Sequence, residues 1–218
     1  MNNIILQNIL PVVFQSAQNE ERIVQSDVWQ KDVSFEKGKL YLLEACSGTG
    51  KSSLCSYIYG YRRDYLGKIF YDDKDISRLS TRELVDTRKN SLSILWQELR
   101  LFPELTAMEN VIIKNKLTGY QSIRQIDEWF ERLGIADRKD YLIGRMSFGQ
   151  QQRVAMIRSL CQPFDFLLAD EPVSHLDDEN SRIMGDIMMS EARKQGAGVI
   201  VTSIGKHMLL DYDKILKL

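Results

Sequence analysis

A stretch of small and polar residues, SGTGKSS at 47–53, has the composition of a loop that binds phosphate. It matches the second half of the pattern G-x-x-x-x-G-K-[ST]. Gly48 and Gly50 let backbone N–H groups surround an anion, and the helix expected after them directs the positive end of its dipole at that anion. Lys51 is expected to reach the terminal phosphates of a nucleotide, and Ser52 to bind magnesium. The predicted nucleotide contacts in this loop are Ser47, Gly48, Thr49, Gly50, Lys51, Ser52 and Ser53.

Two adjacent acids follow a second apolar run, in FDFLLADEP at 164–172. Asp170 is expected to hold the magnesium ion or a water bound to it, and Glu171 to polarise an attacking water. A strand that ends in two acids is also common at a solvated sheet edge, so the motif alone decides little. Together with the phosphate loop it predicts a site that hydrolyses a nucleoside triphosphate.

Apolar runs bounded by turn residues predict the strands that position these motifs. The predicted strands span 3–10, 39–45, 67–71, 91–96, 164–169 and 198–202. Helical periodicity lies between several of them. This alternation favours an α/β fold around a largely parallel sheet.

The segment 104–160 is mostly helical in its pattern. One face of the helix predicted in SIRQIDEWFERLGI carries Ile123, Ile126, Phe130 and Leu133. An apolar face of this width must pack on something. We expect a helical sub-lobe of about 98–160 inside a single domain over 1–218, and the alternative is a crossover helix that packs directly on the sheet.

Composition restricts the class of protein. The 218 residues include 29 basic and 30 acidic side chains, which is no signature of a general nucleic-acid binder, so no nucleic-acid partner is expected. No run approaches the roughly 20 apolar residues of a membrane helix, and the start lacks the order of a secretory signal, so we expect a cytoplasmic protein. Cys46, Cys55 and Cys161 form no CxxC pair, which predicts reduced thiols and no zinc site.

Three further motifs resemble those of ABC-type ATP-binding cassettes and occur in the order of that family. MSFGQQQR at 146–153 resembles the LSGGQ signature, WQELRLFPELTAMENV at 96–111 is similar to the Q-loop region, and VSHLD at 173–177 resembles the D-loop. The resemblance extends over about residues 3–218. It implies a P-loop NTPase fold of the ABC type, with a mostly parallel sheet core and a helical sub-lobe, and hydrolysis of ATP to ADP and phosphate.

The resemblance also implies roles for single residues. Catalytic roles fall to Lys51, Gln97 and Glu171, and magnesium binding falls to Ser52, Gln97 and Asp170. The family usually stacks adenine on an aromatic residue upstream of the phosphate loop. Phe14 is the best-placed candidate, Trp29 and Phe35 are alternatives, and an aromatic residue of this kind is equally typical of a core.

Cassettes of this family pair head to tail, so the resemblance implies a second cassette as partner. Ser147 and Gly149 of the signature, and Asp177 of the D-loop, then belong to a nucleotide site that two chains complete. The residues themselves support part of this interpretation, because Ser147 followed three positions later by Gln150 fits a capping box at a helix start. The simpler possibility is that Ser147 only caps a helix.

Three positions depart from the family pattern. Ala45 replaces the first loop glycine, and Phe148 replaces a signature glycine. Ser203 stands where the family generally has a histidine near the γ-phosphate, so the resemblance implies Ser203 as a nucleotide contact. A side chain is strained at positive φ, and serine cannot carry the positive charge of a histidine. Because the loop lysine, the loop serine and both acids remain, we expect an active ATPase that is slow.

The leading expectation is the ATP-hydrolysing subunit of a membrane transporter, working as a homodimer beneath integral-membrane permease chains at the inner face of the cell membrane. RLFPELTAMENV and LDYDKILKL resemble the small cassettes of lipoprotein-releasing, macrolide-efflux and cell-division systems. Two alternatives stay open. One is a regulatory cassette that binds ATP with little or no turnover, and the other is a soluble, non-transport ABC ATPase.

Overall fold

The computed structural model describes residues 1–46, 48–205 and 207–218. The strands are β1 (Asn3–Pro11), β2 (Asp32–Glu36), β3 (Leu40–Glu44), β4 (Tyr65–Tyr71), β5 (Lys74–Asp75), β6 (Leu92–Leu95), β7 (Phe166–Asp170), β8 (Gly198–Ser203) and β9 (Lys214–Lys217). The α-helices are α1 (Glu21–Val24), α2 (Lys51–Ile58), α3 (Thr81–Asn90), α4 (Ala107–Asn115), α5 (Ile123–Arg132), α6 (Phe148–Ser159) and α7 (Asp178–Gln195).

Five strands form a parallel sheet in the order β6, β7, β8, β3, β9. Every residue of β7 and of β8 is buried, as expected of inner strands that are covered on both faces. In the register of the sheet Asp170 pairs with Thr202, and Glu44 with Ser203. The carboxyl ends of β3, β7 and β8 therefore lie side by side, and this α/β arrangement confirms the predicted fold class.

A second sheet of four strands is antiparallel, in the order β2, β1, β4, β5. Two of the predicted strands, 3–10 and 67–71, lie in this sheet and not in the parallel one. Their sequences showed that they are strands, but an apolar run does not reveal its partner. The short strands β2 and β9 were missed because DVSFE and KILK carry few apolar residues for a run-based prediction.

The helices of the segment 104–160 share one continuous apolar core with a face of the parallel sheet. Val111 of α4, Phe130 of α5 and Met156 of α6 are buried in that core together with sheet residues. Of the four residues predicted on one face of this helix, Ile126, Phe130 and Leu133 are buried, whereas Ile123, the first residue of α5, is 54% exposed. The boundaries of a sub-lobe stay a prediction. Among the described helices, none is long and apolar enough to cross a bilayer.

A bulge interrupts β1 shortly before the turn that carries Phe14. The pairing of β1 with β4 shifts between Gln7 and Leu10, and Asn8 has a φ of 55°. Gly67 of β4 faces this bulge with a φ of 88°, and a Cβ there would lie 2.4 Å from the carbonyl oxygen of Asn8. The position requires glycine for its conformation and for the close approach of two backbones. Beyond the bulge, β1 leads into the 3-10 turn that carries Phe14.

We predict that Gly67→Ala destabilises the fold more than Gly119→Ala does. Gly119 also has a positive φ, 63°, but open space surrounds its Cβ position, so it tests the backbone strain alone. That strain costs about 1–2 kcal/mol, and the collision with Asn8 adds about 1–3 kcal/mol at Gly67. Urea denaturation of both variants measures the two free energies of unfolding. Equal losses of stability would contradict this role for the bulge.

Candidate functional site

The phosphate loop is anchored on one side and open on the other. Gly50 has a φ of 97° at the start of α2, and a Cβ there would lie 2.9 Å from the Trp29 ring. The Trp29 indole N–H also donates to the Thr49 carbonyl oxygen at 3.0 Å. Gly48 has a φ of 81°, and apart from its chain neighbours no described residue has an atom within 4 Å of its Cβ position, so there is open space on this side of its backbone. Ser47, predicted as a phosphate contact, lies outside the described residues.

Lys51 lies at the start of α2 with its ammonium group turned back over the loop. Its Nζ donates to the Cys46 carbonyl oxygen at 3.1 Å and lies 3.7 Å from Oε1 of Glu171. The Lys51 side chain is 5% exposed and the Glu171 side chain 9% exposed, so this ion pair is shielded from water. The predicted phosphate-binding lysine and the predicted general base are therefore in contact.

The predicted magnesium donors lie together beside this pair. The Ser52 hydroxyl donates to Oε1 of Gln97 at 3.1 Å, although the two residues are 45 positions apart. Ser52, Gln97 and Asp170 also line one cavity of about 210 Å³. A hydroxyl, an amide oxygen and a carboxylate are the hard oxygen donors that suit Mg²⁺. Three protein oxygens fill only part of the coordination shell of Mg²⁺, which usually also takes phosphate and water oxygens.

Thr202 at the end of β8 holds both acids, and the sequence analysis missed it. Its hydroxyl donates to Oδ1 of Asp170 at 2.6 Å and accepts the backbone N–H of Glu171 at 3.1 Å. Glu171 has a φ of 50°, a conformation that is unfavourable for a residue with a side chain. Thr202 is the first polar residue after the apolar run GVIV, at the carboxyl end of a predicted inner strand, and this position is the signal that could have identified it.

Burial beside this site keeps a thiol neutral. Cys55 of α2 is fully buried, and burial together with the negative charge of Asp170 raises its pKa well above the usual value. Cys55 is therefore a packing residue below the loop, in keeping with the predicted reduced thiols.

A cleft of about 340 Å³ lies over the loop. It collects the main predicted residues from separate parts of the chain, namely Phe14, Gly48, Lys51, Ser52, Gln97 and Glu171. Of the three aromatic candidates for adenine, Trp29 and Phe35 are buried in the core and cannot stack on a ligand. Phe14 is partly exposed at the cleft, with Trp29 packed edge-on against it at 6.3 Å between ring centroids.

Two of the departures from the family pattern have structural consequences here. Ala45 does not adopt a positive φ, so its methyl group causes none of the expected strain. Ser203 is only 3% exposed, because it is the last residue of an inner strand. Ile204, which follows it, lines the cleft instead. The cleft wall at this point is therefore apolar.

The signature and D-loop residues lie on another surface of the same chain. Ser147 and Gln150 form the predicted capping box at the start of α6, and the exposed ring of Phe148 packs edge-on against His175 at 4.5 Å between ring centroids. Asp177 caps α7 by accepting the N–H of Asn180 at 2.7 Å, and this hydrogen bond lowers the pKa of its carboxyl. None of these described residues lines the cleft. Gly149 packs beneath the D-loop, where a Cβ would lie 3.3 Å from Cδ2 of Leu176.

The fold and the site define a nucleotide-binding α/β protein of the P-loop type. A family model described as "ABC transporter" matches residues 30–174. The lipoprotein-releasing system ATP-binding protein LolD 1 of Caulobacter vibrioides is 31% identical over 205 residues, which cover 92% of this chain and 86% of that protein. The dimeric bacterial ABC transporter cassette MJ0796 has the same fold, with a TM-score of 0.77, 23% identity and coverage of 92% of this chain and 87% of that chain.

This chain belongs to the ABC transporter family. The predicted resemblance to the lipoprotein-releasing subgroup is confirmed. An uncharacterized ABC transporter ATP-binding protein of Mycobacterium tuberculosis, Rv0073, is 35% identical over 188 residues. The match covers 83% of this chain but only 56% of the length of that protein.

We predict that Lys51→Met lowers the affinity for ATP by about 10-fold or more, because a hydrogen bond to a charged group is worth about 1.5–3 kcal/mol. Titration calorimetry of the purified chain with ATP measures this directly. Lys39→Met is the control, since Lys39 is an exposed lysine that pairs with Asp213 at 3.3 Å, away from the cleft. Unchanged ATP affinity in Lys51→Met would contradict the assignment of residues 47–53 as the loop that binds the phosphates of ATP.

Proposed function

We propose that the protein binds ATP with Mg²⁺ in the cleft over the phosphate loop and hydrolyses it to drive a membrane transporter. The observation that best supports this proposal is that Lys51 contacts Glu171 beside the hydrogen-bonded pair of Ser52 and Gln97. A phosphate-binding cation, metal donors and a carboxylate base thus meet at one point. Hydrolysis of a phosphoanhydride needs little more than this positioning and charge neutralisation.

Each residue has a separate task in this proposal. Lys51 binds the terminal phosphates, and Ser52, Gln97 and Asp170 hold the magnesium ion. When bound, the ion neutralises the negative charge that develops on the phosphate oxygens. Glu171 accepts a proton from the attacking water, and its carboxylate lies at the cleft, 3.7 Å from Nζ of Lys51. Phe14, at the edge of the cleft, offers its ring to the adenine base.

A second copy of the chain completes the site in this proposal. Ser147, Gly149 and Asp177 do not line the cleft of their own chain, and Ser147 presents the N-terminus of α6 at the surface. Such a helix end attracts phosphate through its free N–H groups and dipole. The description of MJ0796 as dimeric supports the pairing of two chains. In the proposed homodimer the chains are arranged head to tail, so that α6 of one chain faces the phosphate loop of the other.

The partners at the membrane are permease chains in this proposal. LolD 1 is named as the ATP-binding protein of a lipoprotein-releasing system, which supports a role as one subunit of a larger assembly. The cassette then lies in the cytoplasm against the inner face of the cell membrane, with the predicted sub-lobe of about 98–160 as part of its single domain. Ser203 is buried, and Ile204, the described residue that follows it, lines the cleft with an apolar side chain in place of the family's histidine. We therefore expect slow turnover.

We predict that Glu171→Gln retains ATP binding and loses hydrolysis by about 100-fold or more, because the amide keeps the shape of the carboxylate but cannot accept the proton. The ATP-bound dimer should then accumulate. Phosphate release and sedimentation of the purified chain with ATP and Mg²⁺ measure the two effects. Glu131→Gln, an exposed acid on α5, is the matched control and should behave as the parent.

Two results would contradict the proposal that the chain hydrolyses ATP with Glu171 as the general base. Hydrolysis at the parental rate in Glu171→Gln would show that another group activates the water. If the parental chain binds ATP but releases no phosphate, even with its permease, the regulatory cassette becomes the better account.

A further inference from the structure

Gln152 is a buried glutamine of α6 that contacts the backbone of Glu171. Its side chain is only 2% exposed. Nε2 donates to the Glu171 carbonyl oxygen at 3.2 Å, while Oε1 is buried with no hydrogen-bond partner among the described residues. A buried amide with an unpaired oxygen is costly, and an apolar side chain of the same length would fill the space without that cost. The hydrogen bond from Nε2 to the Glu171 carbonyl oxygen is therefore the interaction that explains a glutamine at this position.

The peptide that Gln152 contacts is held in an unfavourable conformation. Glu171 has a φ of 50°, which a residue with a side chain adopts only when its surroundings enforce it. Its N–H is held by Thr202, whose hydroxyl lies at 3.1 Å. Its carbonyl oxygen is held by Gln152 at 3.2 Å, and more loosely by the Ser174 hydroxyl at 3.4 Å and the Ser174 N–H at 3.5 Å. Gln152 thus supplies the shortest restraint on the carbonyl side.

We propose that Gln152 is a positioning residue that holds the Glu171 peptide in its left-handed conformation. With the N–H fixed by Thr202 and the carbonyl by Gln152, the side chain of Glu171 leaves the backbone toward Lys51 and the cleft. Gln152 also lies little more than one turn beyond Ser147 in α6. A displacement of the exposed N-terminus of α6 therefore also displaces the side chain that holds the Glu171 peptide. The inference rests on the proposed function, in which Glu171 activates water.

The first experiment compares kcat with KM for Gln152→Met, which retains the length of the side chain and removes its hydrogen bond. Steady-state ATP hydrolysis by the full chain with Mg²⁺ is measured. We expect kcat to fall by about 10- to 100-fold, because a small displacement of a catalytic group has effects of that size. KM should stay within about 3-fold of the parental value, since the phosphate loop is untouched.

Gln162→Met is the matched control. Gln162 is also a buried glutamine with an unpaired Oε1, but its Nε2 donates to the carbonyl oxygens of Arg88 and Leu92, away from the cleft. It should share any change in thermal stability and keep the parental kcat. A parental kcat in Gln152→Met overturns the inference, and so does a kcat that falls equally in both variants.

A crystal structure of Gln152→Met tests the inference without any turnover. We expect residue 171 to leave the left-handed region, or its carboxylate to move away from Lys51. An unchanged Glu171 overturns the positioning role even if the chain is an active ATPase. Conversely, a parental chain that does not hydrolyse ATP counts against the proposed function, while the conformation of residue 171 still decides the role of Gln152.

Discussion

The site depends on one hydroxyl group, that of Thr202. It donates to Asp170 and accepts from the N–H of Glu171, so a single atom fixes the predicted metal donor and the predicted base relative to each other. This is possible because β7 and β8 are parallel neighbours, with Asp170 opposite Thr202. The next pairing, of β8 with β3, ends at Ser203 and Glu44 and starts the phosphate loop beside the acids. The register of three buried strands thus determines the distance between Lys51 and Glu171.

The features that could be predicted from the sequence are those with local causes. A loop that wraps phosphate needs glycines before a lysine and a helix, and the segment around Gly50 has that order and that conformation. The capping box of Ser147 is likewise a property of four consecutive residues. Long apolar runs predicted the inner strands of the parallel sheet, because such strands are buried on both faces.

The features that could not be predicted depend on residues far apart in the chain. Thr202 acts on Asp170 across 32 positions, and Gln152 acts on Glu171 across 19, through hydrogen bonds that no periodicity indicates. The antiparallel pairing of β1 with β4 is non-local for the same reason. Ser203 shows the limit of transferring a family role by alignment, because its side chain is buried and the neighbouring Ile204 faces the cleft.

The central claim is that Lys51 and the acids at the end of β7 face the same terminal phosphate. A crystal structure of this chain with Mg²⁺ and a non-hydrolysable ATP analogue tests that claim most directly. The account predicts the γ-phosphate at hydrogen-bond distance from Nζ of Lys51, the ion bound by the Ser52 hydroxyl, and the Glu171 carboxylate on the far side of the phosphate. A nucleotide bound outside this cleft, or with its phosphates away from Lys51, would contradict it.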